Sequence, residues 1–348
     1  MRIVSLDEIN SNMKLAKPIF DDNERMLLNR GVPLNEQYIK RLEELGVTEL
    51  YIEDENSLGI EISSVINEKL RIKGKKAIKK VIEGINKEEK FNIREVEEIV
   101  TEIFDEIFLN PEYLLYFGDL RVKNDTVFGH SLNVAVISVA IGTFLFHEKE
   151  DLIKMGIGAL LHDIGKTQLP EDIAGKNPLE TEDKSFHSHP ELGYSLISER
   201  FDISPVSKAV VLKHHERVDG RGYPNQTPGG KIHDYAKIVA IANTFDILTN
   251  GPYYKRKFPV YQAVEYLVAN SDIMFDKRLV GVFIRRLALY PNGTIVKLST
   301  GESGIVKEQN KDYPTRPLVR VLRDKDGQSY DDPRIEDLLK NHSIVIVE

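Results

Sequence analysis

The residues of this sequence that are best suited to chemistry are histidines and aspartates that flank predicted helices. The segment LLHDIGK at 160–166 places His162 and Asp163 side by side where an apolar helix is predicted to end. Adjacent residues on a helix point about 100° apart, so this pair would address two neighbouring cations better than a single one. A carboxylate can bridge two cations, whereas one imidazole nitrogen cannot. The pair therefore suggests a two-metal centre.

Four further histidines lie at or near the ends of predicted helices and are candidates for the remaining ligands: His130, His189, His214 and His215. A helix end can hold a side chain rigidly while it points into a shared cleft. Spacing alone does not show whether these helices converge, so scattered histidines stay an open alternative. His147, His233 and His342 are expected to be ordinary surface or core residues. His187 is expected to face away from the site, because it precedes His189 by two residues.

Composition restricts both the ligands and the partners. The 348-residue chain has no cysteine, which excludes disulfides and thiolate metal sites and leaves histidine and carboxylate as ligands. Its formal net charge of −8 argues against a basic face for DNA or RNA. The N-terminus lacks the order of a signal peptide, and the apolar run at 134–146 is too short to span a bilayer. We therefore expect a cytoplasmic protein without membrane association.

Four segments are predicted along the chain. Residues 1–60 indicate a small α/β domain, in which Asn35 caps a helix. Residues 61–110 indicate a helical linker, whose apolar stripe at 96–108 would face a core or a second copy of the chain, so a homodimer stays open. Residues 111–290 read as helices with short polar joints, one of which begins at Ser204 and Pro205. Residues 291–348 indicate a β-rich subdomain, with a helix expected at 334–341 and a strand at 343–348.

Five stretches of the sequence, taken in order, resemble the signature of the HD-GYP family, a branch of the HD phosphohydrolases. They are HSLNVA at 130–135, LLHDIGK at 160–166, HPELG at 189–193, HHERVDGRGYP at 214–224 and FDILT at 245–249. Members of this family are metal-dependent phosphodiesterases that act on cyclic di-GMP. The resemblance covers roughly half the chain, from about 111 to 290. It implies a mainly α protein: an HD-type helical bundle flanked by the small N-terminal α/β unit and the β-rich C-terminal subdomain.

The resemblance also implies the residues of the site. Its metal ligands would be His130, His162, Asp163, His189, His214 and His215, with Asn243 at the position of a further ligand. Lys166 would neutralise a substrate phosphate. Gly222, Tyr223 and Pro224 would form a loop that presents the tyrosine ring outward to a purine base or to a protein partner. Two divalent ions, iron or manganese, would activate a shared water, and cyclic di-GMP would be hydrolysed to pGpG and/or GMP.

Two positions depart from the family pattern. Asn243 stands where the family has an aspartate ligand, so an oxygen is kept but a charge is lost. Pro252 stands at the position of a phosphate-binding arginine, while Lys255 keeps the second basic position. Asp246 matches a second family aspartate, whose role is expected to be structural. The alternative function is therefore a catalytically weak or inactive domain that binds a cyclic dinucleotide, or binds a protein partner through the GYP loop. A hybrid cyclic dinucleotide or a phosphomonoester is a further substrate class.

Overall fold

The computed structural model describes residues 1–10, 13–20, 25–45, 47, 49–62, 65–87, 89, 91–109, 126–145, 148–250, 258–310 and 313–347. These residues divide into two compact units. The first contains residues 1–62 and 285–347, and the second contains residues 65–109 and 127–284. This division differs from the predicted segments, because the two ends of the chain share a unit and the predicted helical linker belongs to the body of the second unit.

The N-terminal part of the first unit is the expected α/β structure. Its strands are β1 (Arg2–Ser5), β2 (Lys14–Leu15), β3 (Ile19–Phe20), β4 (Met26–Leu28) and β5 (Glu49–Glu53), with helix α1 (Glu36–Glu44) before β5. An antiparallel sheet has the order β1-β5-β2, and β3 pairs with β4. The N–H of Tyr38 donates to the side chain of Asn35 at 2.9 Å, which confirms the predicted cap. Two 3₁₀ helices complete this part, at Leu6–Glu8 and Glu55–Ser57.

The C-terminal part of the first unit is an antiparallel sheet of order β6-β7-β8-β9. Its strands are β6 (Ile295–Lys297), β7 (Ser303–Glu308), β8 (Leu318–Arg323) and β9 (Ile335–Asp337). The helix predicted at 334–341 is wrong, since Ile335–Asp337 form β9, in which Asp337 pairs with Leu318, and residues 338–340 form a turn. Eight residues make a marginal helix, and strand pairing together with burial of Leu338 outweighs their helical pattern. Of the strand predicted at 343–348, the described residues 343–347 form one bridge, between Ile346 and Leu298.

The second unit is helical, as predicted. Its α-helices are α2 (Glu68–Asn86), α3 (Ile93–Leu109), α4 (Thr126–Thr143), α5 (Lys149–Leu160), α6 (Glu171–Ala174), α7 (Lys184–His187), α8 (His189–Ile197), α9 (Pro205–Lys213), α10 (Asp234–Asn250), α11 (Val260–Ala269) and α12 (Lys277–Arg285). Two 3₁₀ helices lie at Ile164–Gln168 and Gly229–Lys231. The N–H of Ser207 donates to the Ser204 hydroxyl at 3.0 Å, which confirms the predicted start of α9. No helix among the described residues combines the length and the apolar character needed to cross a bilayer.

The apolar stripe of α3 faces the core of its own unit. Val96, Val100 and Ile103 have no exposed surface, and the helix packs against α2 and α5. Phe108, at the end of the stripe, is 66% exposed. Core packing thus accounts for most of the stripe, and a homodimer stays a prediction that this helix does not support.

Helix α10 lies in the interior of the second unit. Every residue from Ile238 to Asn250 is buried, although the segment contains Asn243, Asp246 and Asn250. Buried polar side chains normally have hydrogen-bond partners, because water is no longer available to them. The partners of these residues lead to the histidines.

Candidate metal centre

His162 and Asp163 follow Leu161, the residue that caps the C-terminus of α5, so the helix ends just before the pair as predicted. The chain then enters the 3₁₀ helix Ile164–Gln168, which lies against the start of α8. Gly165 permits this approach, because a Cβ there would lie 2.0 Å from the carbonyl oxygen of His189 and 2.4 Å from the nitrogen of Gly193. The glycine therefore brings the first residue of α8 beside Asp163.

The structure brings the six predicted histidine and aspartate ligands together in two groups. One group is His130, His162 and Asp163, and the other is Asp163, His189, His214 and His215. Within each group the candidate ligand atoms all lie within 4.8 Å of one another, and Asp163 belongs to both. The sequence had left the convergence of these helices open.

The two carboxylate oxygens of Asp163 face different histidines. Its Oδ2 lies 3.7 Å from Nε2 of His130 and 3.4 Å from Nε2 of His162. Its Oδ1 lies 3.4 Å from Nε2 of His189 and 3.8 Å from Nε2 of His214. A carboxylate placed in this way is suited to bridging two cations, one on each side.

Hydrogen bonds at Nδ1 determine which nitrogen of each imidazole faces Asp163. The Nδ1 atoms of His162, His189 and His214 lie 2.8, 2.7 and 2.8 Å from backbone carbonyl oxygens three residues earlier. A carbonyl oxygen only accepts, so each Nδ1 carries the proton and donates it. The lone pair therefore remains on Nε2, as in histidines that bind metals through that atom.

Burial keeps most of these imidazoles uncharged. It lowers the pKa of His189 to about 3, although the nearby Asp163 opposes the shift. Burial likewise lowers the pKa values of His130, His214 and His215. Burial alone would raise the pKa of Asp163, but the neighbouring His162 and Lys166 outweigh it and hold this pKa well below its usual range. Neutral imidazoles around an ionised carboxylate are the protonation states that a metal ion requires.

Four buried atoms of this region have no hydrogen-bond partner among the described residues: Nε2 of His162, Oδ1 of Asp163, Nε2 of His215 and Oδ1 of Asn243. An unsatisfied buried polar atom typically costs about 1–3 kcal/mol, so several in one place need an explanation. A divalent cation accepts such lone pairs. The residues present thus fit the nitrogen and oxygen coordination of a pair of divalent cations.

Comparisons with known proteins agree with this geometry. A family model described as an HD domain matches residues 120–279, and a model described as a KOW domain associated with an HD domain matches residues 295–348. The cyclic di-GMP phosphodiesterase PA4108 of Pseudomonas aeruginosa is 29% identical over 228 residues, which are 65% of this chain and 55% of that protein. The cyclic di-GMP phosphodiesterase response regulator RpfG of Xanthomonas campestris is 38% identical over 146 residues, which are 40% of this chain and 38% of that protein.

The fold has a counterpart among solved structures. The structure of Bd1817, an HDG"Y"P protein of Bdellovibrio bacteriovorus, superposes with a TM-score of 0.51. It is 15% identical in sequence, and the match covers 81% of this chain and 97% of that one. The chain resembles an HD domain over residues 120–279 and has a fold similar to that of this solved structure. It spans only about half or less of the length of the two curated relatives described above.

Lys166 lies inside the candidate metal centre. Its Nζ donates to Oδ2 of Asp163 at 2.6 Å and lies 5.3 Å from the centre of the Phe186 ring. The ammonium group therefore contacts the same Asp163 oxygen that faces His130 and His162.

The loop of Gly222, Tyr223 and Pro224 differs from the prediction in one respect. Tyr223 is not presented outward: its ring stacks on His215, with a centroid distance of 4.6 Å, and on His187 at 4.0 Å. His187 belongs to neither group of candidate ligands, as expected, but its ring contacts Tyr223 and does not face away. The expected direction assumed one continuous helix, whereas α7 ends at His187 and α8 begins at His189.

The backbone of the loop is held close to the histidine pair. A Cβ on Gly222 would lie 2.5 Å from the carbonyl oxygen of His215, so only glycine fits there. Glu216 is buried, and its carboxylate accepts from the N–H groups of Asn225 and Thr227 at 2.9 Å each. Sequence reasoning missed Glu216, although its position directly after the histidine pair was a usable signal. Pro224 follows Tyr223 through a cis peptide bond.

Two of the buried polar residues of α10, Asp246 and Asn243, behave differently. Asp246 accepts from Nδ1 of His130 at 2.7 Å and from Asn133 at 2.7 Å, so it orients a candidate ligand. Asn243 lies one turn earlier on the same face of the helix, and its Oδ1 is among the atoms without a partner. The predicted phosphate-binding Lys255, like Pro252, lies outside the described residues.

Proposed function

We propose that this chain is a metal-dependent phosphodiesterase that hydrolyses cyclic di-GMP to pGpG and/or GMP. The observation that carries the proposal is the division of the two Asp163 oxygens between two groups of histidines. The curated relatives named as cyclic di-GMP phosphodiesterases support the choice of substrate. The chain spans only part of those proteins, so their names alone do not assign its substrate. The proposal therefore rests on the geometry of the site as well as on the similarity.

Two divalent cations, when bound, would lower the pKa of a water molecule and offset the negative charge that grows on the phosphoryl oxygens. We propose that His130 and His162 hold one cation and that His189, His214 and His215 hold the other, with Asp163 shared and Asn243 contributing its carbonyl oxygen. Manganese or iron suits this set, since it consists of imidazole and oxygen ligands without thiolate.

Lys166 is proposed to bind a substrate phosphate. Its ammonium pairs with Asp163 in the structure, and a carboxylate that holds cations no longer needs this partner. The Phe186 ring supports the side chain, so Nζ is placed to donate to a non-bridging phosphate oxygen instead. Lys255 remains a proposed second phosphate ligand.

The GYP loop is proposed to shape the substrate groove, although not through an outward-facing ring. Tyr223 stacks on His215, so the ring is placed to fix a metal ligand. Gly222 and Pro224 hold the backbone that carries Tyr223. Binding of a protein partner to the exposed residues of this loop is a second, weaker proposal.

Asp163→Asn tests the catalytic proposal. Wild-type protein loaded anaerobically with Mn²⁺ is expected to hold two ions per chain and to hydrolyse cyclic di-GMP, with products resolved by chromatography. Asp163→Asn should lose bound metal and turnover while keeping the wild-type circular dichroism spectrum. Asp202→Asn is the matched control, because Asp202 is a surface carboxylate paired with Arg200. Wild-type turnover in Asp163→Asn would contradict the mechanism.

Asn243 favours a second candidate, a weak or inactive domain that binds a cyclic dinucleotide without efficient hydrolysis. Its amide offers a lone pair but no charge at the position where the family has a carboxylate ligand. Binding and hydrolysis assays with cyclic di-GMP, a hybrid cyclic dinucleotide and a phosphomonoester separate the candidates. Saturable binding without product formation by the metal-loaded protein would select the second candidate.

A further inference from the structure

A line of buried polar side chains connects helix α2 with the metal centre. Nη1 of Arg71, on α2, donates to Oδ1 of Asn133 at 3.2 Å. Nδ2 of Asn133 donates to Oδ1 of Asp246 at 2.7 Å, and Oδ2 of Asp246 accepts from Nδ1 of His130 at 2.7 Å. All four side chains are buried, and Asp246 has no exposed surface at all. Three successive hydrogen bonds therefore join α2 to a candidate metal ligand.

We propose that Arg71 is a positioning residue of the metal centre, which acts on His130 through Asn133 and Asp246. The inference rests on the proposed function in one respect, that His130 binds a metal ion. Arg71 lies before residues 120–279, the part of the chain that matches the HD domain. The domain thus takes part of the support for its centre from a helix outside that match.

The guanidinium of Arg71 selects one orientation of the Asn133 amide. A guanidinium has donors only, so it requires the carbonyl oxygen of the amide to face it. The amide nitrogen is then directed at Asp246, whose ionised carboxylate only accepts. A flipped amide would set oxygen against carboxylate and nitrogen against guanidinium, which is unfavourable at both ends.

The carboxylate of Asp246 depends on this orientation. It also accepts from Nδ2 of Asn250 at 3.0 Å, through the same Oδ1 atom that Asn133 contacts. A buried carboxylate is costly unless it is hydrogen-bonded and balanced by positive charge. Arg71 supplies a cation at the outer end of the line. Without it, only the contact with Asp246 fixes the Asn133 amide, and the buried carboxylate loses a balancing cation.

The orientation of Asp246 in turn fixes His130. Donation from Nδ1 to Asp246 keeps the lone pair on Nε2, the atom that faces Asp163. Loss of a partner of a metal-binding histidine typically costs about 10- to 100-fold in metal affinity. Arg71 is two hydrogen bonds beyond Asp246, the direct partner of His130. We therefore expect its removal to reduce metal affinity by about 10-fold, the lower end of this range. The loss should affect only the ion held by His130, His162 and Asp163.

Substitution of Arg71 combined with Mn²⁺ titration tests the proposal. Calorimetric titration of Arg71→Met is expected to show one Mn²⁺ equivalent bound about 10-fold more weakly and the other unchanged. Arg71→Lys should recover part of the affinity, since its ammonium can also donate to Asn133. Lys80→Met is the matched control, because it removes from the same helix a cation that pairs with Glu95 at the surface. Two wild-type affinities in Arg71→Met would overturn the proposal.

A second measurement keeps the inference distinct from the proposed function. If the wild-type chain binds no Mn²⁺, the metal-centre proposal fails, and the line of hydrogen bonds is tested by the ¹⁵N chemical shifts of His130. The wild-type shifts should show a proton on Nδ1, and Arg71→Gln should shift the population toward Nε2. Arg71→Gln also replaces Arg71→Met if the latter does not fold. Unchanged His130 shifts in Arg71→Gln would refute a positioning role for Arg71.

Discussion

Gly165→Ala should disrupt the metal centre without replacing any candidate ligand. The new methyl group would lie 2.0 Å from the carbonyl oxygen of His189 and 2.4 Å from the nitrogen of Gly193. Both are backbone atoms, so no side chain can turn away to make room. Restoring ordinary van der Waals contact requires the 3₁₀ helix and α8 to separate by about 1.4 Å. His189 is the first residue of α8, and its Nε2 would move away from Oδ1 of Asp163.

The size of the effect follows from this displacement. A misplacement of about 1 Å in a catalytic arrangement can reduce the rate about 100-fold. Overpacking of this kind also costs about 1–3 kcal/mol of folding free energy, which is less than the stability of a typical domain. We therefore expect Gly165→Ala to fold, to lose affinity for the ion held by His189, His214 and His215, and to hydrolyse substrate about 100-fold more slowly.

The assay combines Mn²⁺ content per chain, calorimetric titration and turnover of cyclic di-GMP. Gly230→Ala is the matched control, because a Cβ at Gly230 meets no atom within 4 Å. The control should behave as the wild type in all three measurements. Wild-type affinity for both ions in a folded Gly165→Ala would refute the reasoning that places His189 through this contact.

Three further substitutions test other parts of the structure. Asn243→Asp adds a charged oxygen, so we expect tighter Mn²⁺ binding and faster hydrolysis by about 10-fold or more; unchanged titrations would show that this position is not a ligand. His187→Ala removes a ring from the stack on Tyr223 and should weaken Mn²⁺ binding about 2- to 10-fold, since an aromatic pair contributes about 0.5–1.5 kcal/mol. His187→Phe should retain affinity, and equal losses in the two variants would contradict a stacking role. Burial raises the pKa of Glu302, but hydrogen bonds from Arg334 and others outweigh it and lower this pKa on balance. A carboxylate with a lowered pKa stabilises the folded protein above its unfolded pKa of about 4.5, and this contribution is lost as the pH falls through the folded pKa. The free energy of unfolding, measured with urea, should therefore decrease more steeply on acidification for the wild type than for Glu302→Gln. Parallel slopes would exclude this role.

Local signals made much of the fold predictable. Asn35 and Ser204 cap the helices that they were expected to cap, because a cap is an interaction between residues three apart in sequence. The end of α5 before His162 was likewise predictable from neighbouring residues. The segment 334–341 failed for the opposite reason, since its pairing partner β8 is not visible from the segment itself.

The sequence predicted which residues belong to the candidate site, but not how their side chains are arranged. Helix-end positions selected the histidines that now lie around Asp163, but only the packed structure shows that their Nε2 atoms converge. Tyr223 was expected to face outward because glycine and proline around it indicate a tight turn that would present its ring. The ring instead stacks on two imidazoles, and this contact cannot be predicted from the spacing of residues in the sequence. Arg71 could not be found either, because its contact with Asn133 joins residues 62 positions apart.

The adjacency of His162 and Asp163 follows from the geometry of a shared carboxylate. Asp163 turns one oxygen toward His130 and His162, and the other toward His189 and His214. The ligands on either side arrive from different helices, so the shared residue must stand where those helices meet. The end of α5 is such a place, since the chain leaves the helix there and side chains are no longer confined to one helical face. Because His162 is adjacent to Asp163, it joins one group of candidate ligands without the need for another helix. Fewer long-range contacts are then needed to build the two proposed cation sites.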